Sequence, residues 1–259
     1  LDLAKLIKEL ERRGEQLDPA IALMVIAGVL RGLGHAHNAV DEHGRRLSLV
    51  HRDVSPQNVL LSINGDIKLS DFGAAKADAA VRHARTAQNV ALGKLAYMAP
   101  EQRGGRQVDV RTDIYGTGIL LSEVLQGPSL FRRSTGLTGP DPEHLANAAF
   151  GRVPAPIDER VAAIIARSID KDPNRRYSDT VSMLAELEAC LIELRPAATP
   201  DRLGSLVRDI SDATAERPKN PVSEQVIDSQ SFTSATRAST PSSRRNQAEP
   251  STPSPFDTA

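Results

Sequence analysis

His51-Arg52-Asp53-Val54-Ser55-Pro56-Gln57-Asn58, followed by Asp71-Phe72-Gly73, is the stretch from which the rest of the chain is read. It holds a carboxylate, Asp53, then an amide five residues on, Asn58, then a second carboxylate, Asp71, eighteen positions after the first. A carboxylate can take the proton of an attacking hydroxyl, and an amide with a second carboxylate supplies hard oxygen ligands for Mg2+ on a polyphosphate. Between them, short apolar runs at 59–63 and 67–69 flank Asn64-Gly65, a strong hairpin-turn dipeptide. The predicted hairpin folds Asn58 back beside Asp71. Phosphoryl transfer, with its loose transition state, asks a protein mainly for positioning and charge neutralisation, which is what these groups offer. Either half alone is an ordinary polar loop or turn; both in order, with a hairpin between, read as a phosphotransferase site.

Composition bounds what surrounds that site. With 259 residues, 40% of them hydrophobic, the chain can bury one sizeable core and carry a tail. A net charge of -1 gives no electrostatic basis for a nucleic-acid partner or an anionic surface. The single cysteine, Cys190, shares an apolar stripe with Leu187, Leu191 and Leu194 and reads as a buried thiol. The longest apolar run, 20–30, is closed by Arg31 and falls short of the roughly 20 residues a membrane span needs. No span is expected, and the expected location is cytoplasmic. The chain opens at Leu1 inside a helical pattern, as a fragment would.

Apolar spacing predicts helices over much of the remainder. Leu3, Leu6, Ile7 and Leu10 form one stripe, stopped at Gly14. Asp18-Pro19 is an N-cap and first-turn proline opening a helix to about His37. Further helices are predicted over 114–125, 144–150, 158–169 and 178–194. After Arg195, Pro, Ser, Thr and charged residues dominate. Residues 196–259 are expected to be a disordered tail, with one short helix over 202–210, because so polar a segment cannot offset its ordering entropy. Its Thr199-Pro200, Thr240-Pro241, Thr252-Pro253 and Ser254-Pro255 pairs suit a solvated linker or a phosphorylation substrate. His35, His37, His43, His83 and His144 show no metal-ligand spacing and read as ordinary surface or helix histidines.

Two more segments carry a family resemblance. Gly93-Lys94-Leu95-Ala96-Tyr97-Met98-Ala99-Pro100-Glu101 resembles the end of a protein-kinase activation segment, and Val108-Asp109-Val110-Arg111-Thr112-Asp113-Ile114-Tyr115 the start of the buried helix after it. With them, residues 1–194 resemble the C-terminal lobe of a eukaryotic-like, bacterial-type serine/threonine protein kinase. The implied fold is α+β protein kinase-like: a mainly α-helical lobe with a small β-hairpin, without the N-terminal lobe, over residues 1–195. The resemblance implies ATP and Mg2+ as cofactors and a protein hydroxyl as acceptor. By position, it makes Asp53 the base and Asn58 and Asp71 the metal ligands. Leu60 would lie under the adenine, and Phe72, before Gly73, would set the position of Asp71. Asp113 would hold the backbone near His51 and Arg52, Glu101 would pair with Arg176, and Arg52 would receive a phosphate on Thr86.

The pattern is broken in places. The lysine usual two residues after the base is Ser55 here, and the threonine usual after the segment's glycine is Lys94. The exchange looks reciprocal, with Lys94 reaching in from the facing segment as a catalytic cation. No glycine-rich phosphate loop or strand lysine stands before the catalytic loop, so the chain alone is expected to be inactive. A pseudokinase used as a binding module is the alternative, although a silent copy has no physical need of a base and two metal ligands. Small-molecule kinases of the aminoglycoside or choline type share the loop but lack the 97–101 segment.

Overall fold

The computed structural model describes residues 1–72, 95–128, 131, 142–194 and 197–215. Eight α-helices and one hairpin among the described residues are numbered here in chain order where they enter. Helix α1, Leu3–Arg12, is capped by Asp2, whose side chain accepts from the Lys5 amide, and the chain leaves it through Gly14 at φ 73°. Helix α2, Pro19–His37, begins on Asp18, which accepts from the amides of Ala20 and Ile21. After the catalytic loop and a 3-10 turn at Pro56–Asn58, strands β1, Val59–Leu61, and β2, Ile67–Leu69, pair antiparallel with Val59 opposite Leu69. Then come α3, Pro100–Arg103, α4, Val110–Gln126, α5, Pro142–Ala146, α6, Ile157–Ser168, α7, Thr180–Glu193, and α8, Pro200–Ala215.

The body forms around α2 and α4. Every residue from Thr112 to Gln126 in α4 is buried, and α2 packs against both α4 and α7 while α6 covers α4 from the other side. A helix packed between neighbours over most of its surface must be apolar over most of it, which explains why α2 is the one helix among the described residues long and apolar enough to cross a membrane. Its apolar residues from Ile21 to Leu33 lie in the core instead. Cys190 is fully buried on α7, and burial raises its thiol pKa.

The first strand of the hairpin is shorter than the expected run over 59–63. Ser62 donates its amide to Asp66 O, and its hydroxyl accepts from the amides of Asn64 and Asp66, so the strand stops at Leu61 and a three-residue loop with Gly65 at φ 82° closes the turn. The start of α1 also joins it: the Leu1 amine donates to Leu61 O at 3.1 Å, and Leu61 N returns a bond to Leu1 O at 2.8 Å.

The boundary expected at residue 195 moves outward. Helix α8 is longer than the 202–210 segment foreseen, and it lies in one compact unit with the body, Leu1–Arg217. Its Leu203, Val207 and Ile210 recur at helical spacing and are all buried. The tail composition hid a short amphipathic stripe, which needs only a groove to become ordered.

Candidate active site

The loop 51–58 is held from below by one carboxylate. Asp113, in the first turn of α4 and 1% exposed, accepts from the His51 amide at 2.8 Å and from the Arg52 amide at 2.7 Å. A third bond comes from the His37 ring, whose Nε2 lies 2.8 Å from Asp113 Oδ2. A buried carboxylate is stable there only with its acceptor sites filled, and here three donors fill them. The fixed loop tolerates strain: Arg52 stands at φ 66° and Asp71 at φ 59°, a region non-glycine residues seldom enter.

His37 is the partner the sequence reading missed, having taken it for an ordinary helix histidine. It continues the stripe Ile26, Leu30, Leu33, each buried. A polar ring on such a stripe requires a buried partner, and that signal was present in the sequence.

His51 ties the two acidic motifs together. Its Nδ1 accepts from the Asp53 amide at 3.2 Å, which leaves Nε2 to donate to Ser70 O at 2.8 Å. Ser70 N donates in turn to Asn58 O at 2.9 Å, continuing the ladder past Val59 and Leu69. Asn58 and the residue before Asp71 thereby face each other across the hairpin. The Asn58 amide nitrogen donates to Asp53 O at 2.7 Å, leaving Oδ1 as its remaining acceptor. That oxygen and the exposed Asp71 carboxylate are hard oxygen donors, of the kind that suits Mg2+ better than a softer metal.

From above, α3 closes on the loop. Gln102 donates to Arg52 O at 2.9 Å, and α3 itself is tied to the body through Glu101. Arg176 donates to both Glu101 oxygens, at 2.8 and 2.9 Å, and to the carbonyls of Arg111 and Asp170, while the Thr112 hydroxyl donates to Glu101 Oε1. Burial, the largest single influence, pushes the Glu101 pKa up, but the Arg176 hydrogen bonds and charge, a backbone amide and the Thr112 hydroxyl together outweigh it, and the net shift is downward. Ser55, by contrast, is fully buried with a hydroxyl that has no hydrogen-bond partner among the described residues, so it brings no charge to the loop.

The upper surface is apolar and open. Leu60 is 43% exposed between buried Val59 and Leu61, and Phe72 is 38% exposed with its ring edge-on to His51 at 4.7 Å. Neither side chain is in the core. A groove of about 980 Å³ lies behind β2 and reaches Phe72 but not Asp53 or Asn58. Gly73, Thr86 and Lys94 lie outside the described residues.

Residues 2–187 match the protein kinase domain family. The chain belongs to it. Serine/threonine-protein kinase PknL of Mycobacterium tuberculosis is 38% identical over 194 residues, 73% of this chain and 45% of PknL. Tyrosine-protein kinase MasK of Myxococcus xanthus is 32% identical over 80% of this chain and 32% of its own length. The crystal structure of the Mycobacterium tuberculosis PknI kinase domain superposes with a TM-score of 0.50 at 25% identity, covering 73% of this chain and 61% of PknI's. The chain thus spans less than half the length of these two curated relatives. The mainly helical kinase-type fold with one two-stranded antiparallel sheet agrees with the expectation from sequence.

Proposed function

We propose that this chain carries the phosphoryl-transfer half of a serine/threonine protein kinase that moves the γ-phosphate of ATP, with Mg2+, to a protein hydroxyl. The observation that carries the reading is the linkage of both acidic motifs to one buried carboxylate: Asp113 holds His51 and Arg52, and His51 holds Ser70, next to Asp71. In this reading Asp53 orients the acceptor hydroxyl and takes its proton. Asn58 and Asp71 hold the metal, which neutralises charge on the phosphates when bound. Leu60 forms the floor beneath the adenine, and Phe72 fixes the strained backbone of Asp71. The relatives named serine/threonine kinases, PknL among them, support hydroxyl acceptors of that type over the phenol implied by MasK's name.

Lys94 supplies the positive charge that Ser55 does not, and Thr86 is the site whose phosphate pairs with the exposed Arg52 side chain. The 259 residues contain no glycine-rich phosphate loop ahead of the catalytic loop, so turnover by this chain alone is negligible. The test is Mg2+-dependent binding of a fluorescent ATP analogue to the chain, followed by transfer to Ser, Thr and Tyr peptides by the chain joined to a kinase N-terminal lobe. Binding indifferent to Mg2+, or to Asn58→Ala, would remove the metal-site reading. Transfer to tyrosine alone would remove the serine/threonine assignment, and full transfer by Lys94→Ala would remove that lysine's role.

A further inference from the structure

Helix α8 lies outside the stretch that matches the kinase family, residues 2–187, yet it is bound to three elements of the body. Asp209 pairs with Arg13 just after α1 at 2.6 Å, and Arg202 with Asp18, the cap of α2, at 3.3 Å. The third element is the hairpin tip. Arg208 donates to Ile63 O at 2.5 Å, and the backbone of Gly204 comes so close that a Cβ there would run into the same carbonyl. Pro200 lies equally close over Gly65.

These contacts fall where the hairpin most needs them. A two-stranded hairpin is marginal by itself and holds its geometry only through what packs on it. Its open end is secured by Val59 in the core and by the bond from Ser70 N to Asn58 O, while Leu61, beside the turn, is buried and bonded to the Leu1 backbone in both directions. Its tip, residues 63–65, meets α8. Leu60, bridged to Asp2, precedes the Leu61 anchor by one residue and lies three residues from Ile63, where α8 meets the tip.

We propose that α8 is a strap: through Gly204 and Arg208 it positions the hairpin strand that bears Leu60. A helix outside the kinase-family stretch then sets the floor on which the nucleotide rests; that last meaning depends on the reading of Leu60 given above, whereas the coupling of helix to hairpin does not. Gly204 and Arg208 are positioning residues, since neither touches the reacting groups.

The experiment is amide hydrogen exchange on the full chain, compared with Gly204→Ala. Alanine is the better helix former, so this change strengthens the helix while placing a methyl on the Ile63 carbonyl. Amides of 59–69 should exchange roughly tenfold faster, while those of α4 and of residues 51–53 keep their protection. Arg208→Ala should produce a smaller effect of the same pattern, partly restored in Arg208→Lys, and this pair decides the matter if Gly204→Ala does not fold. The strap is overturned if α8 is released with hairpin protection unchanged, if α8 stays protected in Gly204→Ala and hairpin protection is unchanged in both variants, or if the whole body loosens evenly. A loosened hairpin in a chain that binds no Mg2+-nucleotide would uphold the strap and remove the nucleotide reading instead.

Discussion

Asp113 and Leu60 serve the same loop from opposite sides, and their surroundings differ in kind. Asp113 is enclosed, with two backbone amides and the His37 ring on its two oxygens, whereas Leu60 stands 43% exposed on a three-residue strand. The enclosed side explains how strained backbone at Arg52 and Asp71 can persist: a carboxylate fixed in a buried helix determines where the loop must run. The open side has no such determinant within the loop and depends on what lies against the hairpin. The course of the loop is thus fixed by the helical body, while the surface proposed for the nucleotide is conditional.

The largest effect expected is chemical. Asp53→Asn, in an active form of the kinase, should lower kcat about 10²- to 10⁴-fold, the usual contribution of a positioned base. An equal loss from Leu60→Ala would erase the contrast between the two sides. Next comes the enclosed polar network. Glu101→Ala strands the buried Arg176 and should cost about 3 to 5 kcal/mol in urea unfolding, and Asp113→Ala should cost a comparable amount while also freeing residues 51–53 to exchange.

Acid should reach the same network more gently. The Glu101 carboxyl titrates below its ordinary value of 4.5, so the folded state binds fewer protons there than the unfolded chain. Its contribution is complete above that value and is lost as pH falls through the lower folded value, so the unfolding midpoint should drop more steeply in the wild type than in Glu101→Gln. The smallest stability effect should come from the open surface. Leu60→Ala should change unfolding by no more than about 0.5 kcal/mol, yet weaken Mg2+-nucleotide binding measurably. A larger loss of stability would mean that the strand is part of the core.

Much of this was legible beforehand because the relevant signals are local. Asp18-Pro19 caps α2, Asn64-Gly65 marks the hairpin, and apolar spacing marks α4, α6 and α7. The site residues were legible as a spaced motif. His37 escaped because its partner lies 76 residues away, and the full length and docking of α8, foreseen only as a short helix over 202–210, escaped because a polar composition outweighed three apolar residues at helical spacing.

The sequence by itself determined the groups on offer: two carboxylates and an amide at set spacing with a hairpin between them, since covalent spacing and turn preference act over a few residues. Tertiary structure alone decided which groups are enclosed and which are open. Burial of Asp113 with His37, the pairing of Glu101 with Arg176, and the seating of α8 on the Ile63 carbonyl all join distant segments. Such contacts form only when the folded core brings their elements together and withdraws the water that would otherwise satisfy those groups.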